Sequence, residues 1–401
     1  MQIYQLLLEV GRRILIRTFT LFIMIGWTAQ VVAQDYDSTE VKRKKLEVRG
    51  YVKDLQSLTF SNNFDSLVTG NLIHNRVNVR WNPTDRITGA IEFRNRLFWG
   101  EEVRLTPNFS SNLTNNNEAV NVSVIWFETE SMVLQTNIDR FWMEYHGKTW
   151  EARLGRQRIN WGISTVWNPN DIFNTYNFLD FDYEERPGRD AVKVTYHVNE
   201  MSNLELAAAA ADQANKAVAS VRYFTNRWNY DFQFSSGVYH EIFTMGAGWS
   251  GSIKDAGFKG EMQYFAPHRD TAAQVNLSAE VDYVFAKGWY LNGGFLLNSN
   301  GINAPVDDWG LVYFRLTPQS LMPTKWNMVV TVVKELTPLL SANLSTIYSP
   351  GTSLLILLPS VKYNLATNVD FDLVWQSFFA EQYNQFAGVS HRAFLRIKWN
   401  F

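Results

Sequence analysis

Hydrophobic and polar residues alternate one by one along much of this chain. In its last eleven residues Ala393, Leu395, Ile397, Trp399 and Phe401 take every second position, and Arg392, Phe394, Arg396, Lys398 and Asn400 fill the positions between them. Successive side chains of a β-strand point to opposite faces, so this segment has one apolar row and one mostly cationic or polar row. The same period pairs Ile73, Val77, Val79 and Trp81 against His74, Arg76, Asn78 and Arg80, and Trp228, Tyr230, Phe232 and Phe234 against Asn229, Asp231, Gln233 and Ser235. Between Ala273 and Phe285 it sets Val275, Leu277, Ala279, Val281 and Tyr283 against Gln274, Asn276, Ser278, Glu280 and Asp282. That run is well beyond the usual strand of about 5 to 6 residues. Long strands with one apolar and one polar face fit a wall between lipid and a water-filled lumen. A soluble β-sandwich also alternates, but with shorter strands and less regular turns.

Short connections are expected at Asn82-Pro83-Thr84-Asp85, His146-Gly147-Lys148, Thr225-Asn226-Arg227, Ala286-Lys287-Gly288 and Asn364-Leu365-Ala366. Long connections are expected over 100–136, 158–189, 298–325 and 379–390, on the outer side. Nineteen segments qualify as strands, whereas a barrel with both termini on one side needs an even number. The segment around Leu311 to Leu316 is short, carries Arg315 and precedes Pro318 and Pro323, so it is assigned to a long loop. The sequence thus predicts an all-β protein, a transmembrane antiparallel β-barrel of about 18 strands, with about 16 as the fallback.

Arg12, Arg13 and Arg17 precede the apolar run 19–27, and Val31-Val32-Ala33 supplies small residues for cleavage. This run is short of the roughly 20 residues a spanning helix needs. Residues 1–33 are therefore expected to be a signal peptide, 34–45 a polar periplasmic lead-in and 46–401 the barrel. The lead-in ends in Lys42-Arg43-Lys44-Lys45, read as a solvated tail rather than a partner-binding run. The paired arginines also fit twin-arginine export, but a barrel must cross the periplasm unfolded.

Aromatic residues make up 15% of the chain, enough for two interfacial girdles. There are no cysteines, which excludes disulfides, thiolate metal sites and a cysteine nucleophile. The formal net charge of -2 gives no reason to expect nucleic-acid binding. No metal or cofactor is implied. Bacterial outer-membrane barrels resemble this chain in closing with a strand that ends in Phe, which their assembly machinery reads; Trp399 and Phe401 would carry that signal here.

Leu154-Gly155-Arg156-Gln157-Arg158-Ile159-Asn160-Trp161-Gly162, then Trp167-Asn168-Pro169-Asn170-Asp171, then Glu185-Arg186-Pro187-Gly188-Arg189-Asp190-Ala191 together resemble the signature of a porin-like family of Gram-negative outer-membrane barrels. That family is similar to alginate-export and phosphate-selective porins. The resemblance implies a channel and names no solute, because one scaffold serves many.

Residues 158–189 read as a loop that packs. Trp161, Trp167, Phe173, Tyr176, Phe178, Phe181 and Tyr183 need shelter from water, and the lumen wall is the nearest. Asp171, Asp180, Asp182, Glu184 and Glu185 need partners, for which Arg153, Arg156, Arg158, Arg186 and Arg189 are local candidates. These charges either staple the loop to the wall or remain available to a solute. Strict alternation puts Arg156 and Arg158 on the lipid face, where a midplane cation costs about 2 to 4 kcal/mol. Gly155 is therefore expected to mark a bulge, or the strand to have left the membrane.

On the inward row, Arg49, Lys53, Arg76, Arg80, Arg94, Arg96, Arg140, Arg153, Lys193, Arg392, Arg396 and Lys398 stand against Glu47, Glu92, Glu144, Glu151, Asp370 and Asp372. Strands seven to twelve contribute Arg222 and Lys259 against Glu205, Asp231, Glu261, Glu280 and Asp282. Closure then puts a basic wall opposite an acidic one, with a field across the pore, unless neighbouring charges pair across strands. No HExxH, GxSxG or phosphate loop is present; His268 beside Arg269 and Asp270 is the best enzymatic candidate. The expected function is passive diffusion of small hydrophilic solutes, anionic or polyhydroxylated, through an outer-membrane channel. An export component, a hydrolase with a site at the barrel mouth and a structural barrel are the alternatives.

Overall fold

The computed structural model describes residues 44–61, 66–113, 118–175, 177–182, 185, 188–269, 271–306 and 316–401. The expected leader, most of the lead-in and most of the segment around Leu311 lie outside these residues. Nineteen strands are described. The first six are β1 (Leu46–Phe60), β2 (Leu67–Thr84), β3 (Ile87–Gly100), β4 (Ser123–Thr129), β5 (Met132–His146) and β6 (Trp150–Gln157). They are followed by β7 (Arg189–Asn199), β8 (Ser202–Ala209), β9 (Val218–Arg227), β10 (Tyr230–Tyr239), β11 (Ile242–Ile253), β12 (Ala256–Phe265) and β13 (Gln274–Phe285). The last six are β14 (Trp289–Asn298), β15 (Trp326–Thr337), β16 (Leu340–Ser349), β17 (Leu354–Ala366), β18 (Val369–Gln382) and β19 (Gln385–Asn400).

Neighbours pair antiparallel, and β1 pairs with β19, which closes the sheet. The wall is 18 strands wide because β4 and β6 share one place. One edge of β5 pairs with β3 along its length; the other edge pairs with β4 over residues 132–137 and with β6 over 141–146. The short β4 thus fills the wall above β6, where the chain leaves the sheet at mid-height.

Burial is inverted relative to a soluble protein. Phe141, Met143, Leu154, Val192, Leu206, Phe234, Met245, Val281, Met328, Val330 and Leu373 are exposed, while Gln135, Glu144, Glu205, Gln233, Glu261, Asn276, Glu280, Asn292 and Asn327 are buried. An apolar outer surface around a polar interior requires lipid outside. Exposed aromatics gather at the two ends of the strands: Trp81, Trp150, Tyr196, Trp228, Trp289 and Phe401 at the end that carries β1's start and β19's finish, Trp126, Phe243, Trp326, Tyr348 and Trp375 towards the other. Interfacial girdles have this arrangement. The two ends are called the turn end and the loop end below.

Several connections differ from expectation. Trp228 and Asn229, not residues 225–227, form the turn between β9 and β10; both have positive φ (57° and 60°), as primed hairpin turns require. Strand β17 runs through Ala366 before turning at Thr367 and Asn368. The expected long loop over 379–390 is instead a hairpin: β18 and β19 stay paired from Gln382 to Gln385, turning at Tyr383 and Asn384. The region 100–136 holds two short helices, α1 (Glu101–Leu105) and α2 (Phe109–Asn112), together with β4 and the start of β5.

Candidate functional site in the lumen

The described residues between 158 and 188 leave the wall after β6 and lie inside the barrel. The departure depends on Gly155, whose φ of 116° places it where a side chain is strained and where a Cβ would collide with the Phe141 carbonyl. Alternation breaks there without a register shift, and Arg156 and Gln157 are both buried. Arg156 consequently faces in, not towards lipid. It binds Asp190 at 2.8 Å, Glu118 at 2.7 Å and the Ile138 carbonyl at 3.2 Å. Asp190 in turn accepts the backbone N–H groups of Ala119 and Val120 at 3.0 and 3.1 Å, tying down the approach to β4.

The first limb is held by carboxylates of the wall. The Trp161 indole donates to Glu205, and Gln233 donates to the Trp161 carbonyl at 2.7 Å. Glu261 accepts the backbone N–H groups of Ser164 (2.7 Å), Asn170 (2.8 Å) and Ile163. Glu280 accepts those of Thr165 (2.9 Å) and Val166 (3.0 Å). Charge-assisted bonds to backbone N–H groups are among the stronger ones, and five on two buried side chains fix the limb's path. Small wall residues make the room. Ala207 and Ala209 on β8 are buried in one cluster with Ile159, Trp161, Ile172 and Phe173. On β11 a Cβ at Gly248 would come within 2.9 Å of Ile163 and 3.0 Å of Asn170.

Trp167 is buried in a second cluster with Leu296, Val329, Ile347, Leu354, Ile356 and Phe378, from β14 to β18. Leu321 and Met322 join it. They belong to residues 317–322, which turn inward from the connection after β14: Asn276 donates to the Pro318 carbonyl at 2.9 Å and Asn298 to the Met322 carbonyl at 2.9 Å. That part of the expected outer loop therefore lies inside. The returning limb meets β18 through Gln376, which donates to the Leu179 carbonyl at 3.0 Å. Asp182 binds Lys53 at 3.0 Å and His74 at 3.1 Å, Glu185 binds Arg76 at 2.7 Å, and Arg189 closes the circuit by donating to the Phe173 carbonyl at 2.8 Å. Asp171 is buried in the first limb. Arg158 is exposed, with no ion pair among the described residues, and Glu184 and Arg186 lie outside them.

The charged walls are laced across strands. Arg76 and Arg94 converge on Asp139 at 2.5 and 3.1 Å, and Arg76 also meets Glu92 at 2.5 Å. Arg96 donates to Gln135, Arg153 is bidentate to Glu144 at 2.8 and 3.0 Å, and Arg396 binds Asp372 at 2.8 Å. Lys398 lies 4.5 Å from the Tyr51 ring centroid; Arg392 lines the loop-end cavity, and Arg80 is exposed near the turn end. On the other side, Lys193 binds Glu205 at 3.2 Å, Lys259 binds Asp282 at 3.5 Å, and Asn226 donates to Asp231 at 2.7 Å. Three of the five acidic-wall residues, Glu205, Glu261 and Glu280, thus also anchor the inner segment. Asp139 was missed by strict alternation, because β5 carries an irregularity where it and Arg140 face β3.

Two cavities border the returning limb among the described residues. One of about 410 Å³ at the loop end is lined by Ser57, Asn71, Arg96, Glu102, Arg392 and Phe394, among others. One of about 420 Å³ at the turn end is lined by Asn343, Ser360, Lys362, Asp370, Arg396 and Lys398, among others. Asp180, Phe181 and Gln376 line both. The chain has the fold of a porin-like outer-membrane β-barrel. It is similar to the crystal structures of OccAB1 and OccAB4 from Acinetobacter baumannii, each with a TM-score of 0.57, at 8% and 10% identity, over 89% of this chain and 96% and 98% of theirs. OccK8 (OprE) from Pseudomonas aeruginosa is similar with a TM-score of 0.56 at 9% identity, over 89% of this chain and 98% of that one. No family model and no curated protein matches. The narrower likeness to alginate-export and phosphate-selective porins gains no support from these structures.

Among the described residues no group of His, Asp and Glu is arranged to hold a metal ion. His268 and Arg269 share Glu241 at 3.9 and 2.9 Å, and Asp270 lies outside the described residues.

Proposed function

We propose that this barrel is a passive channel for small hydrophilic solutes, anionic or polyhydroxylated, and that residues 158–188 form its constriction. The observation that carries the reading is the pair of cavities on either side of residues 179–182. Two cavities that share Asp180, Phe181 and Gln376 in their linings support a lumen narrowed between wider chambers, as in a selective pore. Its lining supports the solute class: cations stand in both chambers, Arg96 and Arg392 at the loop end and Lys362, Arg396 and Lys398 at the turn end, beside hydroxyl and amide groups of Ser57, Asn71, Asn343 and Ser360. Acidic groups stand in the same linings, Glu102, Asp180 and Asp182 at the loop end and Asp180 and Asp370 at the turn end, so a positive excess remains only in the turn-end chamber. Reversal potentials of the purified protein in planar bilayers under a salt gradient test this reading. Anion preference is expected; cation preference, or no conductance even from a variant whose constriction has been opened, would contradict it.

A further inference from the structure

Where the inner segment separates the two chambers, its backbone is fixed at both ends of a four-residue stretch. Gln376 holds the Leu179 carbonyl at 3.0 Å, and Asp182 is paired with Lys53 and His74. Between these anchors the Phe181 side chain makes ring contacts with two described residues. Its centroid lies 5.7 Å from that of Phe394 and 4.4 Å from the Arg396 guanidinium carbon. Arg396 does not need the ring to stay in place, because Asp372 binds it at 2.8 and 2.9 Å. An apolar side chain with no polar anchor, on a pinned backbone, is the part of a partition that moves by rotamer change.

We propose that Phe181 is a side-chain gate between the loop-end and turn-end chambers, and so a selectivity-determining residue of the pore. The inference rests on the channel reading above. In the closed position the ring covers Arg396; swinging away joins the chambers and uncovers the guanidinium to the passing solute. Backbone anchors are untouched by the motion, so gating requires no movement of the barrel or of the rest of the inner segment.

The test uses the full-length protein in planar bilayers, with F181A, F181L and F181W beside the wild type and heat-modifiable mobility as the check on folding. F181A is expected to raise single-channel conductance and reduce brief closures, F181W to lower conductance, and F181L, the variant with the least packing change, to lie between wild type and F181A. A silent wild type with a conducting F181A also supports the gate. Equal conductance and closure rates across the folded variants would overturn it while leaving the channel reading intact. Silence in wild type and F181A alike would remove the channel reading, and the gate with it.

Discussion

Lys53 on β1 and Asp182 in the inner segment form an ion pair of 3.0 Å, and the lysine side chain is fully buried. The pair joins the barrel's first strand to a segment more than a hundred residues away. Breaking one partner of a buried pair leaves an uncompensated charge and costs about 3–5 kcal/mol. D182N is therefore expected to loosen residues 179–182 without unfolding the barrel, seen as faster amide exchange there at unchanged heat-modifiable mobility. The double variant K53M/D182L is expected to restore much of that protection. Equal protection in D182N and wild type would show that the pair anchors nothing.

Acid should leave this anchor alone. Burial alone would raise the Asp182 carboxyl, but its bond to His74 and the charge of Lys53 outweigh burial and hold it well below the usual aspartate range. A depressed folded value gives stability that is present above the ordinary pKa and lost only as pH falls through the folded one. Protection of residues 179–182, corrected for intrinsic exchange, is expected to stay constant from neutral pH to about 4. A decline already at mildly acidic pH would contradict the pairing.

Glu118 should behave in the opposite sense. Burial pushes its carboxyl up to about 7; Arg156 opposes the shift, and Asp190 and Asp139 add to it. Between the ordinary glutamate value of about 4.3 and the raised one, the folded form binds more protons, so its stability falls as pH rises through that window. Exchange at Ala119 and Val120 is expected to quicken across it, and E118Q to flatten the profile. An equally steep profile in E118Q would rule Glu118 out as the source.

Much of this architecture was legible from alternation alone. The 18-strand closed barrel, its apolar outer row and a packed inner segment follow from period two and from aromatics that need shelter. Asp139 was missed although a signal for it was present: residues 135, 137 and 139 are polar, whereas 141, 143 and 145 are Phe, Met and Tyr, so the phase flips within β5. The short β4 was not legible, since all of its large apolar side chains are exposed and its place depends on β6 stopping at mid-height. The partners of Glu261 and Glu280 were hidden for a related reason: alternation says that a carboxylate points inward, but not that a distant backbone will meet it. The apolar pair Leu321 and Met322 between two prolines was the available signal for the second inward limb.

Assembly depends on the closing strand. Phe401 exchanges two backbone hydrogen bonds of 2.9 Å with Gly50, and its ring lies 5.4 Å from that of Trp399. Deleting Phe401, or replacing Ile397 and Trp399 by Asp, is expected to lower the amount of heat-modifiable barrel in outer membranes, because a carboxylate on the lipid face must be desolvated. Normal insertion of all these variants would contradict the role of the terminal strand.

Ion preference should reside in the turn-end chamber. Lys362, 3.8 Å from Asp370, and Lys398, over the Tyr51 ring, both line this cavity. Charges within a Debye length of about 8 Å act together in physiological salt. K362Q/K398Q is expected to move the reversal potential towards cation preference. An unchanged potential would mean that other charges set selectivity.

The central claim is that residues 158–188 narrow an otherwise open barrel, and single-channel conductance after their removal tests it most directly. Replacing residues 161–183 by a short Gly/Ser linker removes the contacts to Glu205, Glu261, Glu280, Gln376 and Lys53 while leaving the pairing of β6 with β7 in place. The account predicts a heat-modifiable barrel with larger conductance and a higher solute size limit. A correctly folded variant with wild-type conductance and size limit would contradict it.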